Sequence, residues 1–260
     1  MPKADVLAQL SSQFFLAPAQ RRLFAQGMPV FTYHSIATAP RGARDPFLYV
    51  TPERFDEQLT LLAKHGFSSG SLDDIAHSSA NADKKFVITF DDGYCNVLDN
   101  ALEILVHHRA RSIQFIVADL IGTRNEWDVV HGDVPEPLMD AAQIRTWLQA
   151  GQEIGSHSLT HRNLAKLSTA DAREQVFASK KKLEDLFGVP IRHFCYPHGK
   201  WTPAVRDLVR EAGYATACTT EFGVNTSGTP SFELNRVFVL SRSEMLKKAA
   251  HRVARKISGR

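Results

Sequence analysis

The sequence predicts an α/β chain folded as one closed or nearly closed parallel barrel. Three observations predict it. Short apolar β-type runs alternate with amphipathic helix-type segments along the chain. No stretch between them shifts composition enough to be a linker, and there is no internal repeat or low-complexity tract. At 260 residues, 43% hydrophobic and 23% charged, the chain can bury a full core without staples and is too apolar for wholesale disorder.

The strand runs are, in order, Pro29–His34, Lys85–Phe90, Ser112–Val117, Glu153–Ser156, His193–Tyr196, Ala215–Thr219 and Asn235–Leu240. Between them lie helices with readable ends. One starts at Thr51-Pro52, an N-cap followed by proline at the first helical position; it carries Phe55, Leu59 and Leu62 on one face and stops at Gly66. Others span Asn96–Arg109, Ala141–Ala150, Ser168–Phe187 (stopping at Gly188) and Thr202–Ala212 (stopping at Gly213). Gly122–Leu138, with its prolines, glycines and acidic residues, reads as the longest loop. Helical extensions are expected at 3–26 and 243–260. The expected organisation is 1–28 as an N-terminal extension, 29–241 as the barrel and 242–260 as a basic C-terminal helix.

Charge and cysteine usage narrow the class. The balance of 31 Lys+Arg against 28 Asp+Glu is too mild to imply nucleic-acid binding. Cys95, Cys195 and Cys218 have no CxxC spacing and read as reduced, mostly buried thiols, which suits a cytoplasmic protein. No apolar run approaches the roughly 18 residues that span a bilayer, and the N-terminus lacks the pattern of a cleaved signal. Residues 242–260 hold seven Lys/Arg against one Glu, beside an apolar stripe of Met245, Leu246, Ala249, Val253 and Ile257. That pattern serves a helix packed on the barrel, or reversible docking of 243–260 on an anionic membrane surface.

Two features carry chemistry. Asp91 and Asp92 close the second strand and are followed by Gly93, which sets two carboxylates at a strand's C-terminal end, where parallel barrels place catalytic groups. An Asp-Gly turn explains the same letters. His157 and His161 follow the fourth strand, and their spacing puts two imidazoles on one side of a helical turn, fit to bind one metal. With Asp92 they make a two-His, one-carboxylate set for one divalent ion: Zn²⁺ by default, with Co²⁺, Ni²⁺ or Fe²⁺ also accepted.

TFDDG at Thr89–Gly93 and HSLTH at His157–His161 resemble the first two motifs of the polysaccharide deacetylases, carbohydrate esterase family 4, the NodB-homology domain. The similarity runs from about Val30 to Leu240, through YHS, FVITFDDG, EIGSHSLTHRNLAKLS, FCYPHGK, EAGYATACTT and LNRV. It is closest in layout to the poly-N-acetylglucosamine deacetylase branch. The resemblance implies a distorted (β/α)7 barrel, here with helical extensions at both ends. It implies Asp92, His157 and His161 as metal ligands and Asp91 as catalytic base. The oxyanion donor would be a backbone N–H in Tyr196-Pro197-His198-Gly199; His198 is the candidate, because Pro197 has none.

The chain departs from the common pattern in two places. The arginine near the third motif is missing: Arg192 lies further upstream, and Arg236 in the last strand is another arginine that could pair with Asp91 and keep it ionised, or make a local salt bridge at the strand end. The histidine that ends the fifth motif is also missing, since the last strand runs into Ser241. The resemblance implies His34 as its replacement, as in the branch whose N-terminal histidine does the acid's work, where a packed core histidine is the other reading; His198 competes for the acid's role. Trp127 and Asp128 in the long loop read as a rim where an aromatic face meets a pyranose ring, or as a loop anchor; Tyr196 belongs to the substrate side of the third motif.

The resemblance therefore implies a metal-dependent hydrolase that removes an N-acyl group, most simply acetyl, from an amino sugar in a polysaccharide, oligosaccharide or glycolipid precursor. Deformylation of a lipid-linked amino sugar, hydrolysis of cyclic imides or ureides, and an inactive carbohydrate-binding relative are the alternatives. The complete Asp91, Asp92, His157, His161 set argues against the last.

Overall fold

A computed structural model of the protein describes residues 24, 26–78 and 84–239. In chain order its strands are β1 (Val30–Tyr33), β2 (Ser35–Ile36), β3 (Tyr49–Val50), β4 (Ser68–Ser69), β5 (Lys85–Phe90), β6 (Ser112–Ile116), β7 (Glu153–Ser156), β8 (His193–Cys195), β9 (Thr216–Phe222) and β10 (Leu234–Phe238). Its α-helices are α1 (Pro52–Lys64), α2 (Cys95–His107), α3 (Glu126–Val129), α4 (Ala141–Gln149), α5 (Thr169–Phe187) and α6 (Pro203–Glu211).

Seven strands close a parallel barrel. They run β1-β10-β9-β8-β7-β6-β5, and β1 pairs with β5 to complete the ring. At the seam Thr32 faces Phe238 on one side and Tyr33 faces Phe90 on the other. The distortion has named sources: β8 holds β7 only through Ser156 opposite Phe194, and the β9–β10 register shifts between Leu234 and Arg236. The seven strands are those expected from the sequence, with ends moved by a few residues at most; β9 runs furthest beyond its expected end, to Phe222. Strands β2, β3 and β4 and helix α3, inside the expected loop, are too short to leave a periodicity in the sequence.

The capping chemistry works as read. Thr51, Ser168 and Thr202 each accept a backbone N–H of the first turn, from Arg54, Asp171 and Val205. Gly188 closes α5 at φ 67, a left-handed conformation that costs glycine nothing.

Strand alternation sorts the core into two layers. Phe86, Ile88 and Phe90 of β5 point outward, into a layer with Phe55, Leu59, Ala101 and Trp147 of the helices. Val87 points inward, with Val30, Ile113, Phe115, Cys195, Cys218 and Leu234 filling the barrel. A Cβ on Gly155 would lie 2.6 Å from the Phe115 ring, so β7 needs glycine where that ring fills the interior. With the lower interior plugged by apolar groups, the polar residues of the upper interior are left at the C-terminal mouth.

The expected extensions at 3–26 and 243–260, and with them the proposed membrane contact, fall outside the described residues apart from Phe24 and Gln26. Among the described residues no helix is long and apolar enough to cross a membrane.

Candidate metal and catalytic site

The end of β5 turns abruptly. Asp91 keeps the strand alternation, donating its N–H to Tyr33 O at 3.0 Å, and points into the barrel. Asp92 would then point outward, but its φ of 77 and the 88 of Gly93 swing the second carboxylate back over the mouth. The two histidines meet it differently from the helical turn expected of their spacing. Residues 158–160 form a turn, with Ser158 at φ 67 and His161 at φ 59. The Ser158 hydroxyl accepts the His161 N–H at 3.2 Å and pins the turn. A turn built on two left-handed residues leaves no helical periodicity to read.

The result is a converging set. Asp92 Oδ1 lies 3.4 Å from His157 Nε2 and 3.3 Å from His161 Nε2. All three side chains are buried, and their ligand atoms lie within 4.8 Å of one another. Asp92 Oδ1 has no hydrogen-bond partner, an expensive condition for a buried carboxylate oxygen unless a cation completes it. His157 Nδ1 is 2.8 Å from Cys195 O, a bond that requires N–H there, so that in the neutral ring the Nε2 lone pair faces Asp92. Burial lowers the His161 pKa well below its ordinary value, which keeps that ring neutral. Burial also opposes charge on His157, but Cys195 and the Asp92 carboxylate outweigh it and draw positive charge into the cluster. An anionic oxygen with two neutral-capable imidazoles suits a divalent ion of the zinc type.

Asp91 sits beside this cradle in a second network. Arg236 grips it with both ends of its fork, Nη1 to Oδ1 and Nη2 to Oδ2, each at 2.8 Å. Arg236 Nε donates to Thr219 O at 2.7 Å, and Nη1 also reaches Thr89 Oγ1 at 3.3 Å. Burial alone would raise the Asp91 carboxyl; the Arg236 guanidinium, helped by His157 and His34, holds it below the ordinary carboxylate range. His34 follows β1 at the seam, and its Nε2 is 3.9 Å from Asp91 Oδ2. Its ring stacks on Phe238 of the other seam strand.

The remaining expected residues divide. His198, exposed and at φ 57, packs its ring edge-on to His161 with centroids 4.5 Å apart. Gly199 follows at φ 65, where a Cβ would lie 2.0 Å from Thr220. Trp127 and Asp128 come to the mouth on α3, but one Trp127 face is already taken by His161, at 4.3 Å between centroids. Burial, with Asp92 and Asp133 nearby, pushes the Asp128 carboxyl up to about 6. The Tyr196 side chain is not at the site. It is fully buried, stacks on Trp201 and donates its hydroxyl to Phe232 O, so it is a core residue beneath the Pro197–Gly199 turn. Two contacts of the site went unread in the sequence: Cys195 Sγ, 3.6 Å from Asp91 Oδ2, and Gln114 Nε2, 3.2 Å from the Asp91 carbonyl. Strand alternation from the interior His193 was the one signal that could have placed Cys195 inside.

A family model described as polysaccharide deacetylase matches residues 78–217, more than half of the chain. The Bacillus subtilis protein YxkH is 23% identical over 216 residues, covering 82% of this chain and 71% of its own. A chitooligosaccharide deacetylase of Bradyrhizobium is 22% identical over 54% of this chain and 57% of its own length. The structure of the Streptococcus pyogenes deacetylase PplD, in complex with acetate, superposes with a TM-score of 0.72 at 21% identity, covering 85% of this chain and 97% of PplD. At that identity the superposition speaks for the fold.

Proposed function

We propose, from the premise that this chain belongs to the polysaccharide deacetylase family, that it removes an N-acetyl group from an amino sugar of a polysaccharide, oligosaccharide or glycolipid precursor. Membership makes it a hydrolase of carbon–nitrogen bonds. The observation that carries the finer reading is the buried, partnerless Asp92 Oδ1 facing two imidazoles beside an Arg-held Asp91.

Asp92, His157 and His161 would hold one divalent ion, Zn²⁺ by default, which when bound polarises the amide carbonyl and acidifies water. Asp91 takes a proton from the attacking water as its oxygen bonds to the carbonyl carbon. Arg236 keeps Asp91 ionised and so able to accept it. The oxyanion contact is assigned to the His198 N–H, since Pro197 has no N–H to offer. His34, at the seam between β1 and β10, gives a proton to the nitrogen as the C–N bond breaks, releasing acetate and a free amine. Trp127 and Asp128 border the space where the sugar would lie.

The test is acetate and formate release from a panel of free, nucleotide-linked and lipid-linked N-acyl sugars, run beside His157→Ala. Acetate release from N-acetylglucosamine oligomers is expected, with His157→Ala losing both bound metal and activity, about a thousandfold or more. Formate release alone would move the reading to deformylation. A His157→Ala protein that keeps a full equivalent of metal would overturn the ligand set.

A further inference from the structure

One contact of Asp91 comes from a strand that carries neither its arginine nor its histidine partner. Cys195 is fully buried on β8, one residue beyond Phe194, which joins β8 to β7. Its carbonyl accepts from His157 Nδ1 at 2.8 Å, and its Sγ donates to Asp91 Oδ2 at 3.6 Å. The thiol's other acceptor, Tyr196 O, is further away at 4.0 Å and uncharged. Ligand-type atoms of Asp91, His157 and Cys195 lie within 4.8 Å of one another, yet a second cation there would meet the Arg236 guanidinium already on Asp91.

We propose that Cys195 is a positioning residue: its thiol fixes Oδ2 of Asp91 while its carbonyl aims His157 Nε2 at Asp92. This rests on the reading of Asp91 as the base. Arg236 reaches Asp91 from β10 through one bond to each carboxylate oxygen. The thiol adds a third contact, from β8, on Oδ2. The same residue sets the tautomer of His157, so one backbone position ties the proton acceptor to the metal cradle. The role needs a hydrogen-bond donor on the barrel interior within reach of Oδ2, and it consumes no thiol chemistry.

The experiment compares Cys195→Ala and Cys195→Ser, each alone and on Asp91→Asn, with kcat and KM for acetate release from an N-acetylglucosamine oligomer and with metal content. Cys195→Ala should lower kcat about tenfold with KM and metal content unchanged, the order expected for one lost hydrogen bond to a charged group. Cys195→Ser, which keeps a donor, should recover to within about threefold of wild type. On the residual rate of Asp91→Asn, Cys195→Ala should cost nothing further, because its effect passes through Asp91. Unchanged kcat in Cys195→Ala, serine no better than alanine, or an equal loss in both backgrounds would each reduce Cys195 to a filler of the barrel. If Asp91→Asn itself turns over like wild type, the base assignment fails and the inference with it, a result distinct from the other three.

Discussion

Two arginine–aspartate forks stand at opposite ends of the barrel. At the mouth, Arg236 holds Asp91 through two bonds of 2.8 Å with side chains 1% and 4% exposed. At the other end, Arg192 holds Asp73 through bonds of 3.1 and 3.0 Å with side chains 54% and 45% exposed. Both are two-bond forks, the upper through Nη1 and Nη2 and the lower through Nε and Nη2, but their surroundings differ most. Water can replace either partner of the lower pair, whereas the Arg236 fork is surrounded by Thr219, Thr89 and Asp91 with no solvent to stand in. Buried pairs of this kind seldom repay their desolvation, so the fold alone does not ask for one. Its place beside the converging Asp92, His157 and His161 does. The comparison teaches that function, more than stability, explains where this chain buries charge.

The strongest way to break that comparison is to remove each arginine. Arg236→Met should cost about 3–5 kcal/mol of unfolding free energy, because it strands a buried carboxylate. The double variant Arg236→Met/Asp91→Leu should recover most of this while remaining inactive. Urea unfolding of both proteins checks it. If the double variant is as unstable as the single one, the pair contributes to stability in its own right and the contrast between the two ends disappears.

Histidines sharpen the same contrast. His157 at the mouth is drawn toward positive charge, while His193 at the start of β8 is held neutral. Burial, with Arg192 and Lys180 adding to it against Asp73, lowers the His193 pKa from 6.5 to about 4, and Nδ1 pairs with Thr216 Oγ1 at 2.9 Å. A folded pKa below the unfolded value means that only the unfolded chain takes up the proton between those two values. Stability should therefore fall as pH drops from 6.5 toward 4 and level off below, a loss of about 2 kcal/mol at pH 4.5. His193→Asn should flatten that part of the acid limb relative to wild type. Parallel acid limbs in the two proteins would show that His193 protonates freely in the fold.

How much of this was legible depended on whether a signal was local. The seven barrel strands and five long helices carry their own periodicity and caps, such as Thr51-Pro52 and Ser168 to Gly188, and were read to within a few residues. Asp91, Asp92, His157 and His161 were legible because they end strands, and parallel strands deliver their ends to one mouth. The turn that brings His161 to Asp92 was not, since Ser158 and His161 adopt left-handed backbone that no residue pattern announces. Cys195 was read only as a buried thiol and not brought to the site, and Tyr196 was put on the substrate side, for a related reason. In a three-residue strand followed by a turn, alternation offers a single repeat, His193 to Cys195, and stops before Tyr196.

The smallest expected effect belongs to Arg192. The common pattern of the family places an arginine near the third motif, and Arg192 is the nearest one upstream of Tyr196-Pro197-His198-Gly199. Its bond to Asp73 faces solvent at the far end of the barrel, where exposed pairs contribute about 0–1 kcal/mol. Arg192→Ala should therefore change the urea midpoint only slightly and leave kcat at its wild-type value. Its one local consequence should be an easing of positive charge around the buried His193, which Arg192 helps to keep neutral. A loss of turnover in Arg192→Ala comparable to that of Arg236→Met would mean that Arg192, and not Arg236, supports the base. The two ends of the barrel would then be coupled through β8, which carries His193 at one end and Cys195 at the other.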